Sequence, residues 1–152
     1  MRLGFAHRII PPGWLLLALL GCAALHRWLP LVQLWHAPWT LLGVAPLAAG
    51  LVLAAAGVGA FRSAGTTVIP FAPSSALVTT GVYRFTRNPM YLGLTLILAG
   101  SAWLCGSLGA FLPVPLLVWI LQGGYIRAEE RLLEQSFGAD YVRYRSTVRR
   151  WL

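Results

Sequence analysis

The chain has 152 residues, 58% of them hydrophobic and 11% charged, against about 25% charged residues in ordinary soluble domains, so water is not its main solvent. Its net charge of +8 comes from twelve arginines and four acids, with no lysine. These arginines flank apolar runs and accompany no nucleic-acid motif, which argues against a nucleic-acid partner, and the two cysteines have no CxxC or zinc spacing, so no metal is expected.

In chain order, the first apolar run, about 14–29, follows Pro11-Pro12-Gly13 and ends at Pro30, near the minimum length for a spanning helix. Leu19-Leu20-Gly21-Cys22 after a basic N-terminus looks like a lipoprotein box, but the chain beyond it is itself polytopic, and the segment is taken as a retained helix. The second run, about 39–61, carries Gly43, Gly50 and Gly57 at heptad spacing among alanines, a small-residue face for close helix packing. Between 62 and 88 the hydropathy drops and Gly65, Pro70, Pro73, Ser74, Ser75 and Gly81 predict a long surface loop, of a length usually functional or disordered. A third run spans about 89–105 and a fourth about 108–126, joined by the tight Gly106-Ser107 connection as an antiparallel hairpin, with Pro113 and Pro115 bending or delaying the fourth. After Ile126, Leu133, Phe137, Tyr141, Tyr144 and Val148 recur at helical spacing between arginines, predicting an amphipathic tail over 127–152 on the membrane surface, broken at Gly138.

The expected fold class is therefore all-α: one domain over 1–152, a polytopic membrane protein with four transmembrane helices plus a C-terminal amphipathic helical tail. The N-terminus (Arg2, Arg8), the 62–88 loop and the tail are basic, whereas the other two connections carry only Arg27. This charge bias predicts that both termini are cytoplasmic in a bacterial inner membrane, with membrane lipid headgroups as partners of the basic loops.

All four acids, Glu129, Glu130, Glu134 and Asp140, lie in one stretch after the fourth run. Glu134 and Asp140 suit a solvated helix end with arginine neighbours, but adjacent carboxylates at a bilayer boundary are costly unless positive charge meets them. A second candidate site is Arg87-Asn88-Pro89-Met90-Tyr91. Asn88 suits an N-cap and Pro89 a first helical residue, and the free N–H groups of that helix start, beside Arg87, suit a carboxylate or phosphate. His7, His26 and His36 are expected as interfacial polar residues, and Gly57-Val58-Gly59 as helix packing. No Ser-His-Asp pattern, nucleophile elbow or dinucleotide fingerprint is present.

Leu77-Val78-Thr79-Thr80-Gly81-Val82-Tyr83, then Arg87-Asn88-Pro89-Met90-Tyr91-Leu92-Gly93, then Glu129-Glu130 with Phe137-Gly138 and Tyr141, together resemble the isoprenylcysteine carboxyl methyltransferase family, over roughly 65–151. The resemblance implies methyl transfer from S-adenosylmethionine to a lipophilic or small acceptor, a carboxylate or thiol. It implies cofactor contacts at Ser75, Ala76, Leu77, Val78, Tyr83, Asn88, Pro89, Met90, Tyr91 and Glu129. Catalytic roles are expected for Arg87, for Arg127 as the nearest stand-in for a substrate-facing arginine that would align near Tyr125, and for Glu130, which would take the proton of an amine acceptor. The family usually has histidine where this chain has Asn88, which preserves hydrogen bonding but not imidazole chemistry. The competing readings are a phospholipid N-methyltransferase, an NADPH-dependent enzyme similar to sterol reductases, and a non-catalytic membrane module.

Overall fold

The computed structural model describes residues 9–67, 69 and 75–152; Arg2, His7, Arg8, Pro70, Pro73 and Ser74 lie outside them. Among the described residues the fold is all-helical, with no strand and a single isolated bridge between Gln33 and Ser107. Helix α1 (Pro11–Trp28) starts three residues earlier than hydropathy suggests, because Pro11 and Pro12 occupy first-turn positions whose N–H groups have no intrahelical partner. A 3-10 turn (Trp39–Gly43) leads into α2 (Val44–Ser63), and α3 (Pro89–Cys105) has its expected bounds, ending where Gly106 takes the left-handed conformation at φ 71.

The fourth run is interrupted at Leu112, just ahead of Pro113. A single turn, α4 (Leu108–Phe111), precedes α5 (Pro113–Leu121), which passes through a wide π turn (Gln122–Ile126) into α6 (Arg127–Phe137). Gly138, at φ 51, separates α6 from α7 (Ala139–Thr147), so the tail does break there.

Two helical stretches, Trp39–Ser63 and Leu108–Phe137, are long and apolar enough to cross a membrane. The apolar part of the second ends at Ile126, where the arginine- and glutamate-bearing α6 begins. Helix α3 is apolar but shorter, and α1 carries His26 and Arg27 in its last turn. Large apolar side chains point outward along these helices, among them Leu16, Leu20, Val52, Leu116 and Trp119, each more than half exposed. So broad an apolar exterior is suited to lipid rather than water.

The glycine pattern of α2 meets a matching one on α3. A Cβ at Gly50 would lie 2.6 Å from the Gly93 carbonyl oxygen, and one at Gly43 2.5 Å from that of Gly100. The two backbones thus approach closely enough that no side chain fits between them. Further round, Leu98, Ala102, Leu117, Leu121, Tyr125 and Ile126 form the buried core with Cys22 of α1.

Candidate functional site

Where α3 begins, an open-mouthed cavity lies under the 76–88 segment and α6 and α7; it measures about 570 Å³ with its solvent-filled mouth included, of which about 60 Å³ is open to the centre of a water molecule. Of the residues expected to hold a cofactor, Ala76, Leu77, Val78, Tyr83, Asn88, Met90, Tyr91 and Glu129 line it together, joined by Arg87 and Glu130. Ser75 and Pro89 do not line it. The Ser75 amide donates to Thr66 Oγ1 at 3.1 Å, and Pro89 is buried in the first turn of α3. Arg127 is exposed and also stands outside the cavity, two residues before Glu129, Tyr91's partner.

The two adjacent glutamates have opposite surroundings. Glu130 Oε1 accepts from Arg87 Nη2 at 2.8 Å and Arg150 Nε at 3.1 Å, and its Oε2 accepts from Arg150 Nη2 at 2.6 Å. Burial alone would raise this carboxyl, but the hydrogen bonds from Arg150 and Arg87 outweigh it and hold Glu130 below the usual carboxylate range. It is an ionised structural anchor, and the proton-accepting role expected of it does not fit this double pairing. Glu129 instead accepts one hydrogen bond, from the Tyr91 hydroxyl at 2.7 Å. Burial pushes its carboxyl up, only partly offset by the hydrogen bond from Tyr91, and no cation among the described residues pairs with it.

Asn88 is not the side-chain cap that its position suggested. Its Nδ2 donates to the Arg150 carbonyl at 3.0 Å, and its backbone N–H donates to Thr86 Oγ1 at 3.2 Å. The C-terminal segment competes successfully for the amide because it lies directly over the start of α3: the Arg87 N–H donates to the Arg149 carbonyl at 2.9 Å, and Arg87 Nη1 donates to the carbonyls of Arg145 and Val148. Arg87 therefore spends both terminal nitrogens on protein, and its buried Nε has no partner among the described residues.

Sequence reasoning missed Phe61, Leu133, Tyr141 and Tyr144 as lining residues. The last three belong to the helical stripe that was expected to face the membrane surface; it turns inward, with Tyr141 1% exposed. Their spacing was the available signal, and its direction was decided by the Glu130–Arg150 clamp, which draws the tail over the site. The 62–88 segment is likewise no simple surface loop, since Val78, Tyr83 and Thr86 are buried and Gly81–Arg84 forms a 3-10 turn. Tyr83 packs its ring 5.4 Å from that of Phe61, and its carbonyl accepts from the Tyr144 hydroxyl at 2.7 Å.

Tyr83 and Tyr141 line the cavity, and their hydroxyls are buried with no hydrogen-bond partner among the described residues. Burial pushes Tyr141 up to about 12, so it is a hydrogen-bond donor at neutral pH. Native interiors rarely leave such groups unsatisfied. The cavity thus combines a carboxyl, two phenols and an apolar wall. Among the described residues no group of metal-binding side chains occurs.

A family model described as phospholipid methyltransferase matches residues 39–140. An uncharacterised protein of Haemophilus influenzae is 47% identical over 64 residues, which cover 41% of this chain and all of that protein. A protein-S-isoprenylcysteine O-methyltransferase of Schizosaccharomyces pombe is 35% identical over 72 residues, 47% of this chain and 30% of the relative. Protein-S-isoprenylcysteine O-methyltransferase B of Arabidopsis thaliana is 37% identical over 73 residues, 47% of this chain and 36% of the relative. The matched stretch thus spans about a third of the length of these named relatives. No solved structure matches the chain.

Proposed function

The chain belongs to the phospholipid methyltransferase family, and from that membership we propose that it is an integral membrane methyltransferase using S-adenosylmethionine to methylate a lipophilic or small acceptor. The observation that carries the reading is Glu129, a half-buried carboxyl held by Tyr91, with no contacting cation among the described residues, in a cavity lined by two phenols whose buried hydroxyls have no partner among those residues. When bound, S-adenosylmethionine supplies a methyl group made electrophilic by its sulfonium. Glu129 would face the positive charge or a ribose hydroxyl, and Tyr91 would keep the carboxylate aimed. Tyr83 and Tyr141 would donate to polar edges, while Leu77, Val78, Met90 and Leu133 exclude water. Methyl transfer needs in-line positioning more than acid or base help.

A carboxylate or thiol acceptor, as in isoprenylcysteine methylation, is favoured over a phospholipid amine. An amine must lose a proton, and Glu130 is already paired with two guanidinium groups. We place the chain in a bacterial inner membrane with four spans, α1, α2, α3 and α4–α5, both termini cytoplasmic and the basic loops against lipid headgroups. The acceptor then arrives from lipid and the cofactor from the cytosol.

Calorimetry on detergent-purified protein tests the reading. S-adenosylmethionine is expected to bind and NADPH not; NADPH binding alone would replace it with a reductase, and binding of neither would leave a non-catalytic module. Glu129→Ala and Tyr91→Ala are each expected to weaken S-adenosylmethionine binding far more than Glu134→Ala, whose residue pairs with Arg145 outside the cavity.

A further inference from the structure

We propose that Cys22 and Cys105 are an oxidisable thiol pair, which closes to an intramolecular disulfide between α1 and α3 on reaction with a low-molecular-weight disulfide. They are the only cysteines in the chain, and although 83 residues apart in sequence their Sγ atoms stand 4.0 Å apart. A disulfide needs about 2.05 Å between sulfurs, so the approach required is about 2 Å, within reach of small side-chain rotations if the helices are already held together. They are held beside the pair: one turn along α1 from Cys22, His26 Nδ1 lies 2.8 Å from Ser107 Oγ, two residues beyond Cys105, while near its other end α1 is tied to the turn after α5, where the Trp14 indole donates to the Tyr125 hydroxyl at 3.0 Å.

The pair is asymmetric in a way that sets the order of events. Cys22 is 2% exposed, whereas Cys105, the last residue of α3, is half-buried. The Cys105 thiolate attacks one sulfur of the external disulfide, forming a mixed disulfide and releasing one thiolate. The Cys22 thiolate then attacks Cys105 Sγ and expels the second. The two cysteines lose two electrons and two protons, and the external disulfide becomes two thiols. Cys105 lies sixteen residues along α3 from Pro89, about 24 Å at the rise of an α-helix, so the reaction is independent of the methyltransferase reading.

The test is dithiodipyridine added to the folded full-length chain in detergent, followed by thiopyridone release and intact mass. The expected result is two thiopyridones released per chain, no pyridyl group retained, a mass lower by two hydrogens, and a raised thermal midpoint that dithiothreitol reverses. Cys22→Ser is expected to release one and keep a pyridyl adduct on Cys105. Retention of pyridyl groups by the native chain, disulfide-linked dimers, or release only after denaturation would each overturn the proposal.

Discussion

Along the seam between α2 and α3, backbone meets backbone, and a methyl group added at Gly93 would sit 2.7 Å from the Gly50 carbonyl. Over the start of α3, by contrast, the C-terminal segment is held by Arg87, Asn88, Glu130 and Arg150 through ion pairs and hydrogen bonds to carbonyls. The seam is fixed by shape and has no titratable part; the roof is fixed by charge. The difference teaches where function can be placed in so apolar a chain. Shape alone aligns the helices, and the few charges are left to build and close a site.

The largest effect is expected on the roof. Glu130→Ala leaves two arginines without their shared partner, and breaking such a buried pair costs about 3 kcal/mol, measurable as a lowered thermal midpoint. Gly93→Val attacks the seam, where overpacking costs about 2 kcal/mol; because no charge is involved, that loss is expected to be the same at all pH values where the protein is folded. Equal loss from both variants with identical pH dependence would dissolve the distinction between seam and roof.

Inside the roof, Tyr91→Phe removes the hydrogen bond that the Tyr91 hydroxyl donates to Glu129. It is expected to weaken S-adenosylmethionine binding roughly tenfold, about 1.4 kcal/mol, with little change in stability. Acid titration separates the neighbouring carboxylates. Glu130, held low, contributes stability that is present above the ordinary carboxylate range and lost as pH falls through its lowered value. Glu129, held high, carries a burial penalty at neutral pH that is relieved as pH falls through its raised value. The thermal midpoint is expected to rise slightly and then fall on acidification, with Glu129→Gln removing the rise and Glu130→Gln the fall. The smallest effect is expected from Arg127→Ala, exposed and outside the cavity, with a stability change within about 0.5 kcal/mol and unaltered cofactor binding.

Much of the seam was legible in the sequence, because glycines at heptad spacing have one physical use in an apolar helix, and α3 kept its bounds because Pro89 and Gly106 punctuate it. Eight of the ten positions expected to hold a cofactor also line one cavity. What the sequence did not disclose was pairing between distant segments. Nothing local distinguishes Glu129 from Glu130; only the arrival of Arg150 from the tail makes one an anchor and leaves the other available. The same arrival drew Asn88 from capping to holding a carbonyl and turned Tyr141 and Tyr144 inward. Arg127 looked suitable through its proximity in sequence to the glutamates, but it points to the exposed side of their helix.

The wide turn at Gln122–Ile126 has a consequence for how such a site can evolve. A π turn holds one residue more than an ordinary turn, so α6 is advanced in azimuth by about 100°, one residue's rotation, from the course α5 would have given it. Gly123, with open space beside it, is where a residue can be deleted. Its loss would restore regular winding and swing Glu129 away from Tyr91 while leaving the apolar rod below intact. Spanning segment and acid-bearing segment are one continuous helix with two separately set bearings, so residues that meet lipid can drift without re-aiming the carboxylates.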